Sequence, residues 1–194
     1  NIRLMSDLVI RRNQLLSMQT MEKNRLQILP KELAMTIKPI LTTFKNQIQK
    51  IEEKIIKLIE SCDEYKHKNE ILQSVPGIGK VAAASLISNL PELGSIGNKK
   101  ASALVGVAPM NRDSGRYKGH RKIKGGRKQV RTALYMAMMS AMQCNPVFKS
   151  TYSRLVAEGK PKKLAIIACV RKMVVILNSM IRDGVMWDEN HANN

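Results

Sequence analysis

Apolar residues recur at helical spacing through the first 30 residues. Leu4, Leu8, Leu15, Met18 and Leu26 stand among Arg, Gln and Asn, and Pro30 follows as a stop. This pattern predicts an amphipathic helix from about residue 3 to residue 29.

A second helix is predicted to begin near Glu32 and to be disturbed at Pro39. Beyond it, apolar side chains follow steps of four, three, four and three, at Phe44, Ile48, Ile51, Ile55 and Leu58. This heptad pattern favours one arm of a coiled coil over residues 40–62. We therefore expect residues 1–62 to form an antiparallel helical hairpin, and the stripe is equally compatible with the core face of a bundle.

Residues 63–70 are polar and are interpreted as a linker to a second domain, residues 71–194. That domain opens with an apolar stretch, the turn Val75-Pro76-Gly77-Ile78-Gly79, and an Ala-rich stretch. Residues 71–90 resemble the helix-hairpin-helix family of DNA-binding modules, in which hairpin amides hold a phosphate. We expect Gly77, Gly79 and Lys80 to contact DNA, with Gly79 at a positive φ. A P-loop is excluded because the loop is too short and Val81 replaces the required Ser or Thr.

Further helices are predicted over residues 98–105, 129–143, 147–157 and 162–182. In the last of these, we expect six apolar residues to face inward: Leu164, Ile167, Val170, Val174, Leu177 and Ile181. The predicted fold class is predominantly all-α, with room for a small β-hairpin in the glycine-containing stretch between residues 110 and 128.

The net charge of +18 is concentrated in one part of the chain. Residues 97–182 contain 19 Lys or Arg and two acids, so this part carries +17. A basic surface also serves solubility or a ribosomal or chromatin role. A charge this concentrated favours a nucleic-acid partner, because each neutralised phosphate releases counterions.

The densest part of this charge is the basic segment, residues 112–131, in which nine of 20 residues are Lys or Arg. Its predicted DNA contacts are Arg112, Arg116, Lys118, Arg121, Lys122, Lys124, Arg127, Lys128 and Arg131. Ser114 lies among these cations beside Gly115. Its hydroxyl is a candidate nucleophile toward a phosphate, with the cations stabilising the pentavalent charge. The alternative is that Ser114 caps a turn or binds phosphate.

No metal site is predicted in this chain, because His67, His120 and His191 form no ligand cluster and no carboxylates cluster near the cations. The longest apolar run, Leu164 to Leu177, contains Arg171 and Lys172 and is not expected to span a bilayer. Three dispersed cysteines suit a reducing cytoplasm.

An ordered set of motifs resembles the bacterial insertion-sequence transposases related to the Piv invertase, also called DEDD transposases. The motifs are Glu22-Lys23-Asn24-Arg25, Val75-Pro76-Gly77-Ile78-Gly79, Leu104-Val105-Gly106-Val107-Ala108-Pro109, Ser114-Gly115, Lys124-Gly125-Gly126-Arg127, Arg131 to Tyr135, Gly159-Lys160-Pro161-Lys162-Lys163 and Arg182-Asp183-Gly184.

The resemblance implies a transposase domain over residues 71–194, with Ser114 as the nucleophile that becomes covalently joined to DNA. It also implies an amino-terminal RuvC-like domain whose four acids bind Mg²⁺, homo-oligomers formed through the coiled coil and, for some members, a guide called a bridge RNA. None of these 194 residues resembles such a domain, and we do not expect Asp7, Asp63, Asp113 and Asp183 to replace its acids. We therefore expect this chain alone to bind DNA without recombining it.

Two alternatives stay open. One is a non-catalytic helix-hairpin-helix module that binds structured nucleic acid through phosphates alone. The other is an RNA-binding role for the basic residues of the first helix, Arg11, Arg12, Lys23 and Arg25. A phosphoserine linkage to DNA is expected only from a recombinase.

Overall fold

The computed structural model describes residues 2–110 and 122–190. It divides into two compact units, Asn1–Tyr65 and Lys66–Asn194, and the boundary falls within a helix. The predominantly all-α prediction is confirmed, since eight helices account for most of the described residues.

The first unit contains helices α1 (Ile2–Ile28) and α2 (Lys31–Glu60), joined at Leu29 and Pro30. The two helices pack against each other along apolar side chains, as the predicted hairpin requires. The buried residues are Met5, Val9 and Leu15 on α1 and Ile37, Ile48, Ile55 and Ile59 on α2. Arg12 donates from Nε to Glu52 at 2.6 Å and links the polar sides of the two helices.

Helix α2 continues through Pro39, contrary to the expected disturbance. A proline removes one N–H from the helical ladder and leaves the carbonyl four residues earlier without its usual donor. That carbonyl belongs to Met35, whose residue is 71% exposed, so water can replace the missing donor.

Helix α3 (Asp63–Ser74) contains the boundary between the units, and the turn over residues 75–79 joins it to α4 (Lys80–Asn89). Residues 63–70, which were predicted to be a linker, lie within α3, and the boundary between the two units falls among them. Asp63 and Glu64 lie in the first turn, where carboxylates interact favourably with the helix dipole. Burial of Ile71 and Leu72 anchors the other end of the helix.

The remaining elements are α5 (Asn98–Val105), the strands β1 (Pro109–Met110) and β2 (Lys122–Ile123), α6 (Lys128–Cys144), α7 (Pro146–Ala157) and α8 (Lys162–Asp183). Helix α6 packs against α4, α7 and α8, and α5 packs against α8. The largest fully buried side chains of this unit include Phe148, Leu134, Met138, Met173 and Leu177.

A buried polar residue on α8 holds the loop between α4 and α5. Asn178 is 1% exposed. Its Oδ1 accepts from the Gly94 amide at 2.8 Å, and its Nδ2 donates to Ile96 O and Asn98 Oδ1, each at 2.8 Å. These bonds fix the loop that leads into α5.

After α8 the chain turns back toward the end of α3. The Trp187 amide donates to Ser74 Oγ at 2.9 Å. The Trp187 ring stacks on Phe148 of α7, with centroids 5.9 Å apart and an interplanar angle of 27°. The carboxyl-terminal part of the chain therefore helps to close the core of the second unit.

Helix α8 passes a length and composition test for membrane crossing, alone among the described helices. Half of its most apolar stretch is buried inside the protein, where the helix supplies core residues such as Cys169 and Val170. Its amino-terminal part differs from the prediction: Leu164 is 55% exposed rather than inward-facing.

Candidate nucleic-acid interface

The two ends of the predicted DNA-contacting loop meet in a short antiparallel ladder. Pro109 pairs with Ile123 and Met110 with Lys122. This ladder agrees with the small β-hairpin expected in the basic stretch. Ser114, Arg112, Arg116, Lys118 and Arg121 and the side chain of Lys122 lie outside the described residues.

Two glycines bring the backbone on either side of this hairpin into direct contact. Gly106 ends α5 with φ 78° and Gly126 precedes α6 with φ 72°. A Cβ at Gly126 would collide with the Gly106 backbone and lie 2.7 Å from the Val105 carbonyl carbon. The Arg127 amide donates to Leu104 O at 2.7 Å beside this contact. Only glycine fits here, because the φ is positive and no space exists for a side chain.

The Arg131 side chain also holds together the two backbone segments that meet at Gly106 and Gly126. Its Nη1 donates to Gly125 O at 2.6 Å and lies 3.4 Å from the carbonyl oxygens of Val105 and Gly106. The guanidinium thus satisfies carbonyls at the end of α5 and before the start of α6. These contacts position the hairpin on the helical core.

Arg127 is also engaged within the protein. Its Nη1 and Nη2 donate to the two carboxylate oxygens of Glu92 at 2.6 Å each, and Nη1 donates to Asn89 O at 2.8 Å. The hydrogen bond from Arg127 lowers the pKa of Glu92, and the same bond raises the pKa of Arg127. Sequence reasoning assigned Arg127 and Arg131 to DNA, whereas the structure gives both side chains protein partners.

The turn between α3 and α4 uses its glycines differently from the prediction. Gly77 has φ 104°, and a Cβ there would lie 2.5 Å from the Ala141 Cβ of α6. Gly79 has φ −91° and ψ 171°, so the expected positive φ at Gly79 is wrong. Gly79 is the N-cap of α4, with open space around its Cα. Gly77 therefore packs the turn onto α6, and Gly79 leaves the start of α4 accessible.

Lysines occupy the first turns of four helices in the second unit. They are Lys80 on α4, Lys99 and Lys100 on α5, Lys128 on α6, and Lys162 and Lys163 on α8. All six are exposed, and none of these first turns contains an acid. Cations are unfavourable at this end of a helix, where the dipole is positive. The arrangement is favourable when an external anion such as phosphate binds there.

Of these lysines, sequence reasoning assigned Lys80 and Lys128 to DNA and did not single out Lys99, Lys100, Lys162 and Lys163. The last four stand in adjacent pairs at the starts of predicted helices. Lys124, another predicted contact, is exposed next to β2.

A polar groove separates the end of α4 from the start of α6. It has a volume of about 610 Å³ and is lined by Ser88, Asn89, Pro91, Arg127, Lys128 and Gln129. Its cations and the free amides of the first turn of α6 suit a phosphate group. The ion pair with Glu92 positions the Arg127 side chain at this groove. Lys128 supplies a positive charge that has no ion-pair partner among the described residues.

The residues described do not fit a metal ion. No group of three or more His, Cys, Asp or Glu side chains converges in residues 2–110 or 122–190. The Mg²⁺ implied by the resemblance therefore has no ligand set in this part of the chain.

Comparison with known proteins finds a family that part of the chain matches. Residues 69–153 match the transposase IS116/IS110/IS902 family. The chain is 29% identical over 151 residues to the pilin gene-inverting protein of Moraxella bovis, covering 75% of this chain and 47% of that protein. It is 27% identical over 150 residues to the 43.6 kDa protein of insertion element IS110 from Streptomyces coelicolor, covering 76% and 36%. It is 34% identical over 119 residues to the 44.8 kDa protein of insertion element IS116 from Streptomyces clavuligerus, covering 59% and 29%.

Residues 69–153 thus carry a domain of the transposase IS116/IS110/IS902 family, and the chain is similar to proteins of bacterial insertion elements, as the motifs predicted. The matched region includes α4, α5, both strands and α6. The chain spans less than half the length of these relatives.

Proposed function

We propose that this chain is the DNA-binding, serine-bearing portion of a transposase or site-specific recombinase of the bacterial cytoplasm. The observation that supports the proposal is that the β1–β2 hairpin is held firmly on the helical core. The segment that contains Ser114 begins and ends at paired strands, and the Gly106–Gly126 contact and Arg131 hold those strands on the helical core. This junction lies inside the family-matched region.

The chemistry proposed for Ser114 is a transesterification. Its Oγ attacks a DNA phosphorus, a serine–phosphate ester forms, and the bond from phosphorus to the departing deoxyribose oxygen breaks. The Ser114 proton leaves to a base and the departing oxygen acquires one, so the step needs no oxidant or reductant. Surrounding cations would stabilise the added negative charge of the pentavalent state. Metal binding is assigned to the part of the relatives that this chain does not match.

Recognition of DNA is proposed to rest on the exposed lysines at helix starts. Lys80, Lys99, Lys100 and Lys128 present charge beside free backbone amides, a combination suited to phosphates rather than to bases. Self-association through the first unit is part of the same proposal. It is supported by exposed apolar residues near the α1–α2 turn, including Ile28 at 84% and Met35 at 71%. A guide RNA is an expectation from the resemblance alone.

The non-catalytic alternative is supported by the accessible start of α4 at Gly79 and Lys80. Such a module would bind nucleic acid through phosphates and form no covalent bond. The two functions differ in one product, a serine–phosphate linkage.

The test compares wild type, Ser114→Ala and a matched control, Ser153→Ala, in the longest protein that contains this chain. Ser153 is an exposed serine on α7 without an assigned role. A labelled DNA substrate is incubated with each protein, and covalent adducts are detected on a denaturing gel. We expect adducts with wild type and Ser153→Ala and none with Ser114→Ala, while all three bind DNA within about twofold of one another. An adduct with Ser114→Ala would overturn the role of Ser114, and DNA binding without any adduct would support the non-catalytic alternative.

A further inference from the structure

An apolar groove runs between the β1–β2 hairpin and the amino-terminal half of α8. Pro109 and Ile123 form its wall, and Leu164 and Ile167 of α8 form its floor. Its volume is about 690 Å³, within the range of small-ligand clefts. This groove is separate from the polar groove lined by Arg127 and Lys128.

The floor of the groove is an uncovered face of a core helix. Helix α8 buries Ala165, Cys169 and Val170 on its opposite side. Leu164 on the floor is 55% exposed and Ile123 on the wall is 37% exposed, so both sides of the groove present apolar surface to solvent. Contiguous apolar surface in water is unfavourable in proportion to its area and marks binding sites on proteins.

The rim of the groove is cationic. Lys163 and Arg171 line it, and no carboxylate among the described residues does. Neither cation has a hydrogen-bond or ion-pair partner within the described part of the chain. Eight residues separate them on α8, or roughly 12 Å along the helix axis. Two free positive charges thus flank an apolar floor.

An occupant that uses both the floor and the rim must be anionic and partly apolar. A DNA duplex fits poorly because its bases are stacked inside and its surface is sugar and phosphate. An unpaired strand exposes the apolar faces of its bases together with its phosphates. A protein segment would need acidic residues at the spacing of Lys163 and Arg171 to match the rim.

We infer that this groove binds an unpaired stretch of the DNA substrate, with bases against Leu164 and Ile167 and phosphates at Lys163 and Arg171. The inference rests on the proposed function. The hairpin that forms one wall leads directly into the segment containing Ser114. A strand opened beside that segment would therefore be held apart from its complement by the groove.

The experiment measures binding of the 194-residue chain to three fluorescent probes of equal length at one salt concentration. They are an oligothymidylate, a DNA duplex and an oligouridylate. Leu164→Gln removes apolar surface from the groove without changing charge. Met136→Gln is the matched control, because Met136 is 63% exposed on α6 and does not line the groove.

We expect Leu164→Gln to weaken oligothymidylate binding at least about threefold, below the effect typical of an aromatic stack, and to leave duplex binding within about twofold. Met136→Gln should change neither. A second measurement places 2-aminopurine in an otherwise duplex probe. Wild type should change its emission, and Leu164→Gln should reduce that change.

The outcomes separate the two hypotheses. Absence of binding to any DNA would overturn the proposed function itself. Duplex binding with equal effects of Leu164→Gln and Met136→Gln would overturn only the groove inference. Selective loss of oligouridylate binding would assign the groove to RNA, and a change in self-association on Leu164→Gln would assign it to a second copy of the chain. Either result would overturn the DNA assignment.

Discussion

Glu92 and Arg127 form a two-point ion pair that joins the loop after α4 to the start of α6. The two residues are 35 positions apart in the chain. Both side chains are more than a third exposed, so solvent screens their interaction. The pair nevertheless has a defined geometry because the guanidinium also donates to Asn89 O.

Glu92→Gln should destabilise the second unit by about 1 kcal/mol or less at neutral pH, the range of exposed ion pairs. The pKa of Glu92 is lowered in the folded protein, first by its hydrogen bond from Arg127. Its stabilising contribution is therefore present above the unfolded pKa and is lost as the pH falls through the folded pKa. Urea unfolding at about pH 7 and about pH 3 should show a smaller difference between wild type and variant at the lower pH. A difference that persists undiminished in acid would contradict this account.

Arg131→Lys distinguishes a structural arginine from a DNA-contacting one. Lysine keeps the positive charge but cannot replace the planar donor group that meets Gly125 O and its neighbours. We expect a loss of about 1–2 kcal/mol in the free energy of unfolding, with the DNA dissociation constant within about twofold of wild type. Thermal unfolding and fluorescence anisotropy measure the two quantities. Weaker DNA binding with unchanged stability would return Arg131 to the DNA interface.

Gly77→Ala and Gly79→Ala form a matched pair. At Gly77 the positive φ and the Ala141 backbone both oppose a Cβ, so we expect a cost of about 2 kcal/mol or more. At Gly79 the backbone is extended and the space is open. Stability should there change by less than about 1 kcal/mol, because a poorer cap is offset by a less flexible unfolded chain.

DNA binding by the same pair tests the role of the turn. Gly79→Ala should weaken binding if a phosphate approaches the start of α4 closely. A Gly79→Ala protein with normal stability and normal affinity would remove this turn from the interface.

Lys128→Glu should have opposite effects on stability and on DNA binding. A carboxylate in the first turn of α6 suits the helix dipole, so the fold should gain about 0.3–1 kcal/mol. Affinity for DNA should fall, and removing the cation by Lys128→Gln should reduce the slope of log affinity against log salt by about 1. Chemical unfolding and salt titrations provide the measurements. Lys57→Glu in the last turn of α2 is the mirror control for stability and should destabilise.

The helices of this protein are largely determined by local signals. Pro30 separates α1 from α2, and Asn145 with Pro146 ends α6 and starts α7, as the sequence predicted. The Asn145 side chain accepts from the Val147 amide at 3.0 Å, which explains why this boundary is sharp. Signals of this kind act within a few residues and can be recognised without a fold.

Features that depend on contacts between residues far apart in the sequence could not be predicted from such local signals. Burial of Ile71 and Leu72 is part of what makes residues 63–70 helical, and the position of Ala141 decides which glycine takes a positive φ. Leu164 continues an apolar pattern and yet faces solvent, because the rest of α8 already fills the core. Similarly, the local sequence does not distinguish an arginine that pairs with Glu92 from an arginine that would contact DNA. The assignment of Ser114 stays a prediction, since it lies outside the described residues.

The contact of Trp187 with Phe148 and Ser74 has a mechanical consequence. It connects Trp187 to α3 and α7, so a force that pulled on the residues following Trp187 would break these two contacts before it disturbed the packing of the helices.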